Sequence, residues 1–227
     1  MTYSGRDRLE DPLTPEILLR AYAHGLFPMA ERRGDDELFW VDPERRGILS
    51  LESFHLPRRL ARTIRQQRFE IRIDQDFPAV IAACAEPAPG REETWISPRI
   101  ERLYGQLFRL GHAHSVEARR EGRLVGGLYG VSIGAAFFGE SMFSRETDAS
   151  KVALAHLVAR LRLAGYLLLD SQFITAHLRQ FGAIELSRSE YRARLARAVK
   201  VRADFLGPPD PLPIALMEQV LAGEFSG

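Results

Sequence analysis

Cysteine and long apolar runs are scarce in this chain of 227 residues. Cys84 is its single cysteine, which excludes an internal disulfide and a cysteine-rich metal cage. No stretch approaches the roughly 18 uncharged apolar residues of a membrane-spanning helix. The segment from Met1 to Arg8 also lacks the apolar region of a signal peptide. We therefore expect an unprocessed protein of the reducing cytoplasm that does not associate with membranes.

Lysine is nearly absent as well, since only Lys151 and Lys200 occur, and almost all positive charge is arginine. The 31 basic residues are offset by 30 acidic residues. Net charge alone would therefore not hold the protein on nucleic acid. Any contact with RNA has to be local, through arginine side chains that fork onto phosphate groups.

Several common catalytic motifs are missing from the sequence. It contains no Gly-x-x-x-x-Gly-Lys-Ser/Thr loop, no Gly-x-Ser-x-Gly turn and no His-Glu-x-x-His pair. These absences argue against an ATPase, a serine hydrolase and a zinc protease. His112 and His114 could place two imidazoles on one face of a strand, but no third ligand is in register. We interpret them as a solvated strand end and expect no metal site.

Capping residues and hydrophobic periodicity predict alternating strands and helices. Strands are predicted over residues 69–73, 114–118, 124–131, 135–139 and 167–170. Helices are predicted over 15–24, 77–85, 97–111, from 147 or 148 to 165, over 175–180, around 191–199 and over 214–222. Consecutive strands with short connections indicate an antiparallel meander. We predict an α/β (α+β) fold with a small N-terminal domain over residues 1–63 and a larger domain over 64–227.

Two adjacent glycines, Gly126 and Gly127, lie inside a predicted strand. Glycines inside a strand lose side-chain packing and often mark a place where a ligand or another segment lies close to the backbone. We interpret Gly126 and Gly127 as the edge of a ligand cleft. A simple bend of the sheet is the alternative. The apolar residues that follow, among them Phe137 and Met142, either fill the core or line an apolar pocket beside the glycines.

Six short runs make the sequence similar to a known family. They cover residues 24–29, 94–96, 114–117, 126–131, 139–144 and 170–172. The most specific are Gly-Glu-Ser-Met-Phe-Ser from Gly139 and the Asp-x-Gln triplet from Asp170. Over about residues 12–200 the chain resembles the leucyl/phenylalanyl-tRNA–protein transferases. The resemblance implies a small N-terminal domain, then a domain similar to the Gcn5-type N-acetyltransferases with a mostly antiparallel sheet and no bound cofactor.

The resemblance also implies a reaction. A leucyl or phenylalanyl group would pass from aminoacyl-tRNA to a protein that begins with Arg or Lys, which marks the product for degradation by the N-end rule. We expect the enzyme to act as a monomer. Trp40 and Trp95 match the tryptophans that contact the terminal adenosine, and Asp170 and Gln172 match the pair assigned to catalysis. Glu140 matches a polar residue of the cleft. The residues that match the apolar pocket for the aminoacyl side chain are Leu128, Phe137, Met142, Leu154 and Leu157.

The chemistry of this reaction is compatible with the absence of a strong base. An aminoacyl-tRNA is an activated ester, and a peptide α-amine with a pKa of about 8 is roughly a tenth unprotonated at neutral pH. Asp170 and Gln172 are two apart on a predicted strand and therefore share a face. We predict that the Gln172 amide donates to Asp170 and orients the amine through its carbonyl oxygen. Asp170, water and the ribose 2′-hydroxyl remain alternatives for the final proton acceptor.

Two arginine clusters are candidates for contacts with the tRNA acceptor stem. The favoured one is Arg58, Arg59, Arg62 and Arg65, at helical spacing near the predicted domain junction. The second lies near the C-terminus and contains Arg188, Arg192, Arg194, Arg197 and Lys200.

Two other functions are alternatives. An acetyl-CoA-dependent N-acetyltransferase needs a glycine-rich turn for the pyrophosphate group, and residues 144–151 contain no glycine. A non-catalytic RNA-binding module would need neither the Asp170 and Gln172 pair nor an apolar pocket.

Overall fold

The computed structural model describes residues 13–35, 37–87 and 92–224. Its helices are α1 (Pro15–Ala23), α2 (Arg58–Arg65), α3 (Phe77–Ala85), α4 (Pro98–Arg109), α5 (Ala149–Leu163), α6 (Ala176–Arg179), α7 (Arg188–Ala198) and α8 (Ile214–Ala222). Its strands are β1 (Phe27–Met29), β2 (Phe39–Val41), β3 (Arg45–Leu49), β4 (Glu70–Ile73), β5 (Ala113–Arg120), β6 (Arg123–Ile133), β7 (Ala136–Ser144), β8 (Leu168–Gln172) and β9 (Ala183–Ser187). The α+β class is confirmed. No helix of the described residues is long and apolar enough to cross a membrane.

Seven strands form the main sheet in the order β4-β5-β6-β7-β8-β3-β9. The meander from β4 to β7 is antiparallel, as predicted, and β3 is antiparallel to both β8 and β9. Only β7 and β8 are parallel among these pairs. A parallel pair needs a crossover connection, and here α5 supplies it and packs back onto β5 and β6. The predicted mostly antiparallel sheet is confirmed.

Side-chain caps fix several helix starts at the predicted positions. Thr14, Asp76 and Ser97 each accept a hydrogen bond from a backbone N–H in the first turn of α1, α3 and α4. Ser187 and Glu190 form the predicted capping box of α7. Helix α5 differs, because Asp148 makes no side-chain cap there and instead pairs with Lys151 at 3.0 Å.

The N-terminal part of the chain contributes to two sheets. Strands β1 and β2 pair with each other in a separate two-stranded sheet. Strand β3, which the prediction placed in the first domain, lies inside the main sheet between β8 and β9. Neither β3 nor β9 was predicted from the sequence. The division of the chain at residue 63 stays a prediction, and residues 45–49 belong structurally to the larger sheet.

The main sheet separates two hydrophobic cores. Neighbouring residues of a strand point to opposite faces, so Phe138 joins the core with α1, α3 and α4, while Phe137 joins the core with α2, α5 and α8. His114 lies in the sheet interior, only 5% exposed, with Nδ1 2.7 Å from an Asp74 carboxylate oxygen and its ring stacked on Phe205. The interpretation of His114 as a solvated strand end was therefore wrong.

Because Gly126 and Gly127 have no side chains, neighbouring segments of the protein can lie close to their backbone. A Cβ on Gly126 would lie 2.5 Å from the Ala149 Cβ at the start of α5, and one on Gly127 would lie 2.9 Å from the Val116 carbonyl oxygen. Neither glycine lines the large cleft described below. The predicted close approach to the backbone is made by helix α5 and strand β5.

Candidate active site

A cleft opens where strands β7 and β8 separate. Their pairing ends at Phe138 opposite Asp170, while β7 continues to Ser144 and β8 to Gln172. The register of β6 with β7 shifts at the same place, because Gly139 lies opposite Gly130 and Ser141 opposite Tyr129, which leaves Glu140 as the extra residue of a β-bulge. Bulges bend a strand and redirect its side chains, often beside active sites. The resulting cleft has a volume of about 660 Å³.

The cleft collects most of the residues that the sequence analysis selected. Those that line it are Trp95, Leu128, Glu140, Met142, Leu154, Leu157, Asp170 and Gln172. Leu128 and Met142 come from paired positions of β6 and β7, and Leu154 and Leu157 lie one turn apart on α5. We call these four residues, Leu128, Met142, Leu154 and Leu157, the apolar wall. An apolar wall with a few polar groups is typical of a small-molecule site.

Two of the residues selected for substrate binding lie outside the lining. Phe137 is fully buried in the core, with its ring stacked on Phe205 at 5.3 Å, and its assignment to the pocket stays a prediction. Trp40 is partly exposed on β2 and pairs with Pro28 of β1. Its neighbours on β1, Phe27 and Met29, do line the cleft, which leaves Trp40 next to the site and not within it.

Asp170 lies in the middle of β8 with a side chain that is 0% exposed. Arg46 of β3 donates to both of its oxygens, with Nε 3.0 Å from Oδ1 and Nη2 2.6 Å from Oδ2. The Tyr191 hydroxyl donates to Oδ2 at 2.7 Å, and the Gln172 backbone N–H donates to Oδ1 at 2.8 Å. A buried carboxylate needs such partners, and here they come from three separate elements.

Gln172 does not make the predicted side-chain contact with Asp170. Its backbone adopts a φ of 55°, a left-handed conformation that is uncommon for residues other than glycine. The side-chain Nε2 donates instead to Glu140 Oε1 at 3.3 Å. Gln172 therefore connects two acidic groups, with its backbone N–H on Asp170 and its side-chain amide on Glu140.

Glu140 is held by two tyrosines as well as by Gln172. The Tyr22 hydroxyl donates to Oε1 at 2.7 Å, the Tyr104 hydroxyl lies 3.1 Å from Oε2, and the two hydroxyls are in contact with each other, so that all three contacts share the two hydroxyl protons. Burial raises the pKa of Glu140 to about 8, with the Asp170 charge acting in the same direction and the tyrosine hydrogen bonds opposing it. At neutral pH, about one unit below this pKa, the carboxyl group is consequently mostly protonated.

Three buried polar atoms of the lining have no hydrogen-bond partner within the described part of the chain. They are the Tyr129 hydroxyl, Ser171 Oγ and His177 Nε2. An unsatisfied buried polar atom costs free energy unless water or a ligand pairs with it. Polar groups without partners in a cleft are therefore what a site that receives a polar ligand requires.

Two family models match this chain. One, described as leucyl/phenylalanyl-tRNA protein transferase, matches residues 48–196, and the other, the N-terminal domain of the same family, matches residues 11–44. The chain belongs to the leucyl/phenylalanyl-tRNA protein transferase family. The boundary between the two matches falls at β3, close to the point where the chain enters the main sheet.

Relatives that carry the name leucyl/phenylalanyl-tRNA–protein transferase are similar over most of their length. The protein from Paramagnetospirillum magneticum is 61% identical over 194 residues, which cover 86% of this chain and 93% of the relative. The one from Rhodopseudomonas palustris is 58% identical over 212 residues, covering 93% and 92% respectively. The Maricaulis maris protein is 59% identical over 197 residues, covering 87% and 91%.

The four arginines of α2 lie away from the cleft lining of this transferase family member. Arg58, Arg59, Arg62 and Arg65 are all exposed, and Leu60 and Ile64 of the same helix are buried. Arg65 forms an ion pair with Glu218 of α8 at 2.6 Å. In the second cluster, Arg188 and Arg192 both pair with Asp42. Three arginines of the first cluster, Arg58, Arg59 and Arg62, and three residues of the second, Arg194, Arg197 and Lys200, thus make no ion pair among the described residues.

The sequence analysis missed four side chains that hold the polar end of the cleft. They are Tyr22 of α1, Arg46 of β3, Tyr104 of α4 and Tyr191 of α7. Arg46 is only 1% exposed and the three tyrosines are almost completely buried. A fully buried arginine requires hydrogen-bond partners or a counter-charge for its guanidinium group. That requirement is the one signal in favour of Arg46, but it becomes visible only after the fold is known.

Proposed function

We propose that this protein transfers a leucyl or phenylalanyl group from aminoacyl-tRNA to the N-terminal amine of a protein that begins with Arg or Lys. The observation that carries the proposal is a cleft in which an apolar wall faces the hydrogen-bonded pair Gln172 and Glu140. Family membership supports the reaction class. The enzyme is further proposed to act in the cytoplasm as a monomer, without cofactor or membrane, and to mark acceptors for degradation by the N-end rule.

The apolar wall suits the donor side chain. Leu128, Met142, Leu154 and Leu157 offer no charged or hydrogen-bonding atom to an aminoacyl group. In a hydrophobic pocket, the binding free energies of two side chains that differ by one methylene differ by only ~1–3 kcal/mol. Such a pocket is therefore suited to accept both leucine and phenylalanine. A charged aminoacyl group would remain unpaired there at high cost. Trp95, partly exposed at the cleft, is available for stacking on the terminal adenine.

Glu140 suits the acceptor amine. No basic side chain of residues 13–35, 37–87 or 92–224 forms an ion pair with it, in contrast to Asp170. Its pKa of about 8 lies near that of a peptide α-amine, also about 8, so a proton passes between them at little free-energy cost. The Gln172 carbonyl oxygen is free to accept an N–H of the same amine, because its Nε2 is the atom that binds Glu140.

The chemistry then requires positioning more than activation. The amine nitrogen attacks the ester carbonyl carbon, the new C–N bond replaces the C–O bond to ribose, and the released ribose oxygen takes a proton. The proton that the ammonium group gives up passes to Glu140 or to water. Within this scheme Asp170 and Gln172 act as the proposed pair, with Gln172 in contact with the substrate and Asp170 hydrogen-bonded to the Gln172 backbone. Positioning alone accounts for a large share of the acceleration of such reactions.

Helix α2 is the proposed contact for the tRNA acceptor stem. Its arginines Arg58, Arg59 and Arg62 are exposed and make no ion pair among the described residues. Contacts from arginine to phosphate are salt-sensitive and carry no sequence information. The proposal therefore places recognition of the leucyl or phenylalanyl group in the cleft, and general affinity for tRNA on α2.

The start of helix α5 argues against the acetyl-CoA alternative. A pyrophosphate group binds to free backbone N–H groups at a helix N-terminus. Here the Ala149 N–H donates to the Glu146 carbonyl at 3.2 Å and the Ser150 N–H donates to Ser144 Oγ at 3.3 Å. The side chains of Glu146 and Asp148 add negative charge beside these groups. Both features oppose a phosphate ligand.

One experiment separates the three functions. The purified protein is incubated with radiolabelled leucyl-tRNA and a peptide that begins with Arg, beside a matched peptide that begins with Asp and beside labelled acetyl-CoA. We expect label on the Arg peptide from leucyl-tRNA alone. Acetyl transfer would establish the acetyltransferase, and tRNA binding without transfer to any peptide would establish the non-catalytic RNA-binding module.

A further inference from the structure

The carboxylate of Asp170 has little capacity left for a substrate. Its two oxygens receive hydrogen bonds from Arg46, Tyr191 and the backbone of Gln172 at distances from 2.6 to 3.1 Å. Its side chain is 0% exposed, and the Arg46 side chain is 1% exposed. A base must reach the proton that it abstracts, directly or through one water. The geometry of Asp170 serves a different purpose.

Arg46 is anchored on all sides. Its guanidinium lies 4.5 Å from the ring centroid of Phe27 and 4.6 Å from that of Tyr191. Its Nη1 donates to the Gly25 carbonyl at 2.9 Å, while Nε and Nη2 donate to Asp170. Arg46 therefore connects the turn after α1 with strand β8 and helix α7. A guanidinium held in this way fixes the orientation of its carboxylate partner bidentately.

The remaining hydrogen bond of Asp170 controls the backbone of Gln172. At a φ of 55° this residue is in a conformation that has to be stabilised by its surroundings. The 2.8 Å bond from the Gln172 N–H to Asp170 Oδ1 supplies that stabilisation. The same conformation directs the Gln172 side chain to Glu140. A chain of contacts thus runs from Arg46 through Asp170 to the amide that faces the cleft.

We propose that Arg46 is a positioning residue which acts through Asp170 on Gln172, and that Asp170 itself holds the Gln172 backbone without accepting the proton of the reaction. The proposal rests on the proposed function for the reaction that it serves. It assigns Tyr191 the supporting role of fixing the second carboxylate oxygen. Glu140, water and the ribose 2′-hydroxyl are then the remaining acceptors for the amine proton.

Paired removal of the two charges tests the proposal. Arg46→Met and Asp170→Asn each leave one uncompensated buried charge, so each should lower the Tm by roughly 10 °C and the kcat by about 10²-fold. The double variant has neither charge, and the amide oxygen that Asp170→Asn introduces can still accept the Gln172 N–H. We expect the double variant to regain most of the lost Tm and to come within about tenfold of the wild-type kcat.

The pH dependence of kcat is a readout that a change in stability alone would not alter. We expect the kcat of the double variant to depend on pH as that of the wild type does, because Asp170 is not the titrating group. A double variant that is folded and binds tRNA but shows no transfer, or that loses the rise of kcat with pH, would make Asp170 the base and overturn the proposal. A wild-type protein that fails to transfer leucine would refute the proposed function instead.

Tyr191→Phe provides a milder variant in case the single charge variants do not fold. It removes one hydrogen bond to Asp170 Oδ2 and leaves the ion pair with Arg46 in place. We expect a loss of about three- to tenfold in kcat, an unchanged KM for aminoacyl-tRNA and a Tm near that of the wild type. A kcat equal to that of the wild type would contradict the supporting role of Tyr191.

Discussion

The two ends of the cleft are built in different ways. The apolar wall is made of Leu128, Met142, Leu154 and Leu157, which sit on regular positions of β6, β7 and α5 and are close in sequence to their packing partners. The polar end depends on side chains far apart in the chain, since Asp170 meets Arg46 across 124 positions and Glu140 meets Tyr22 across 118. An apolar wall tolerates exchange of one hydrophobic residue for another. A buried hydrogen-bonded network does not.

The largest expected effect comes from the polar end. Gln172→Ala removes the amide that bonds to Glu140 and faces the amine. We expect kcat to fall by ~10²–10⁴-fold, the range of a general-base or oxyanion contribution, with the affinity for aminoacyl-tRNA unchanged. Single-turnover transfer and filter binding measure the two quantities separately.

The matched control for that variant is Gln106→Ala on α4, whose side chain is exposed. It should behave as the wild type in both assays. A Gln172→Ala protein with wild-type kcat would remove Gln172 from the chemical step and with it the contrast between the two ends.

A smaller effect is expected at the apolar wall. Leu154→Ala should lower kcat/KM for leucyl transfer by about 5- to 150-fold, because a change of this size in a hydrophobic pocket is worth ~1–3 kcal/mol. It should also shift the ratio of leucyl to phenylalanyl transfer, because the pocket becomes larger. Competition between the two charged tRNAs measures that ratio directly.

Val158→Ala is the control for the apolar wall, because Val158 is buried on the same helix but does not line the cleft. Both variants lose stability through a core cavity. Only Leu154→Ala should change the ratio of donors, and an equal change in both would mean that the wall does not contact the donor side chain.

The sequence predicted the apolar wall better than the polar end, and the reason is physical. Helices α3 and α8 begin and end at the predicted residues, because apolar periodicity and local caps define them. Strand β3 was missed because it starts with Arg45 and Arg46, and two adjacent arginines are typical of an exposed loop. Only the fold shows that Arg46 is buried against Asp170. The bulge at Glu140 and the conformation of Gln172 likewise depend on contacts between distant segments.

The roles assigned to single residues divide in the same way. Leu128, Leu154 and Leu157 line the cleft as expected, whereas Phe137 is fully buried in the same hydrophobic core and is not part of the lining. The predicted bond between the Gln172 and Asp170 side chains is replaced by bonds to Arg46 and Tyr191. Sequence similarity selects the residues of a site, while their partners have to be read from the fold.

Substitution of Trp95 tests whether the cleft also binds the terminal adenosine of the aminoacyl-tRNA, outside the apolar wall. Stacking of a base on an aromatic ring is worth about 1–3 kcal/mol. Trp95→Ala should therefore raise the KM for aminoacyl-tRNA by about 5- to 150-fold at an unchanged kcat. Trp40→Ala, outside the lining, should raise it less. Equal effects of both substitutions would place the adenosine between the two tryptophans.

The smallest effect concerns the stability of the polar end against pH. Because burial raises the pKa of Glu140 to about 8, the folded protein binds this proton more tightly than the unfolded chain, whose glutamates titrate near 4.3. The stabilisation that results is complete below pH ~4 and is lost as the pH rises through about 8. We expect Tm to fall from pH 5 to pH 8 by more in the wild type than in Glu140→Gln. Parallel Tm curves for the two proteins would contradict the raised pKa.

A crystal structure with a non-hydrolysable phenylalanyl-adenosine amide tests the central claim most directly, namely that the two ends of this cleft hold the two halves of the reaction. The account predicts the phenyl ring against Leu128, Met142, Leu154 and Leu157, and the carbonyl carbon beside the Gln172 amide and Glu140. Asp170 should keep its bonds to Arg46 and Tyr191 and make no contact with the ligand. A phenyl ring outside this wall, or an Asp170 carboxylate turned onto the ligand, would contradict the account.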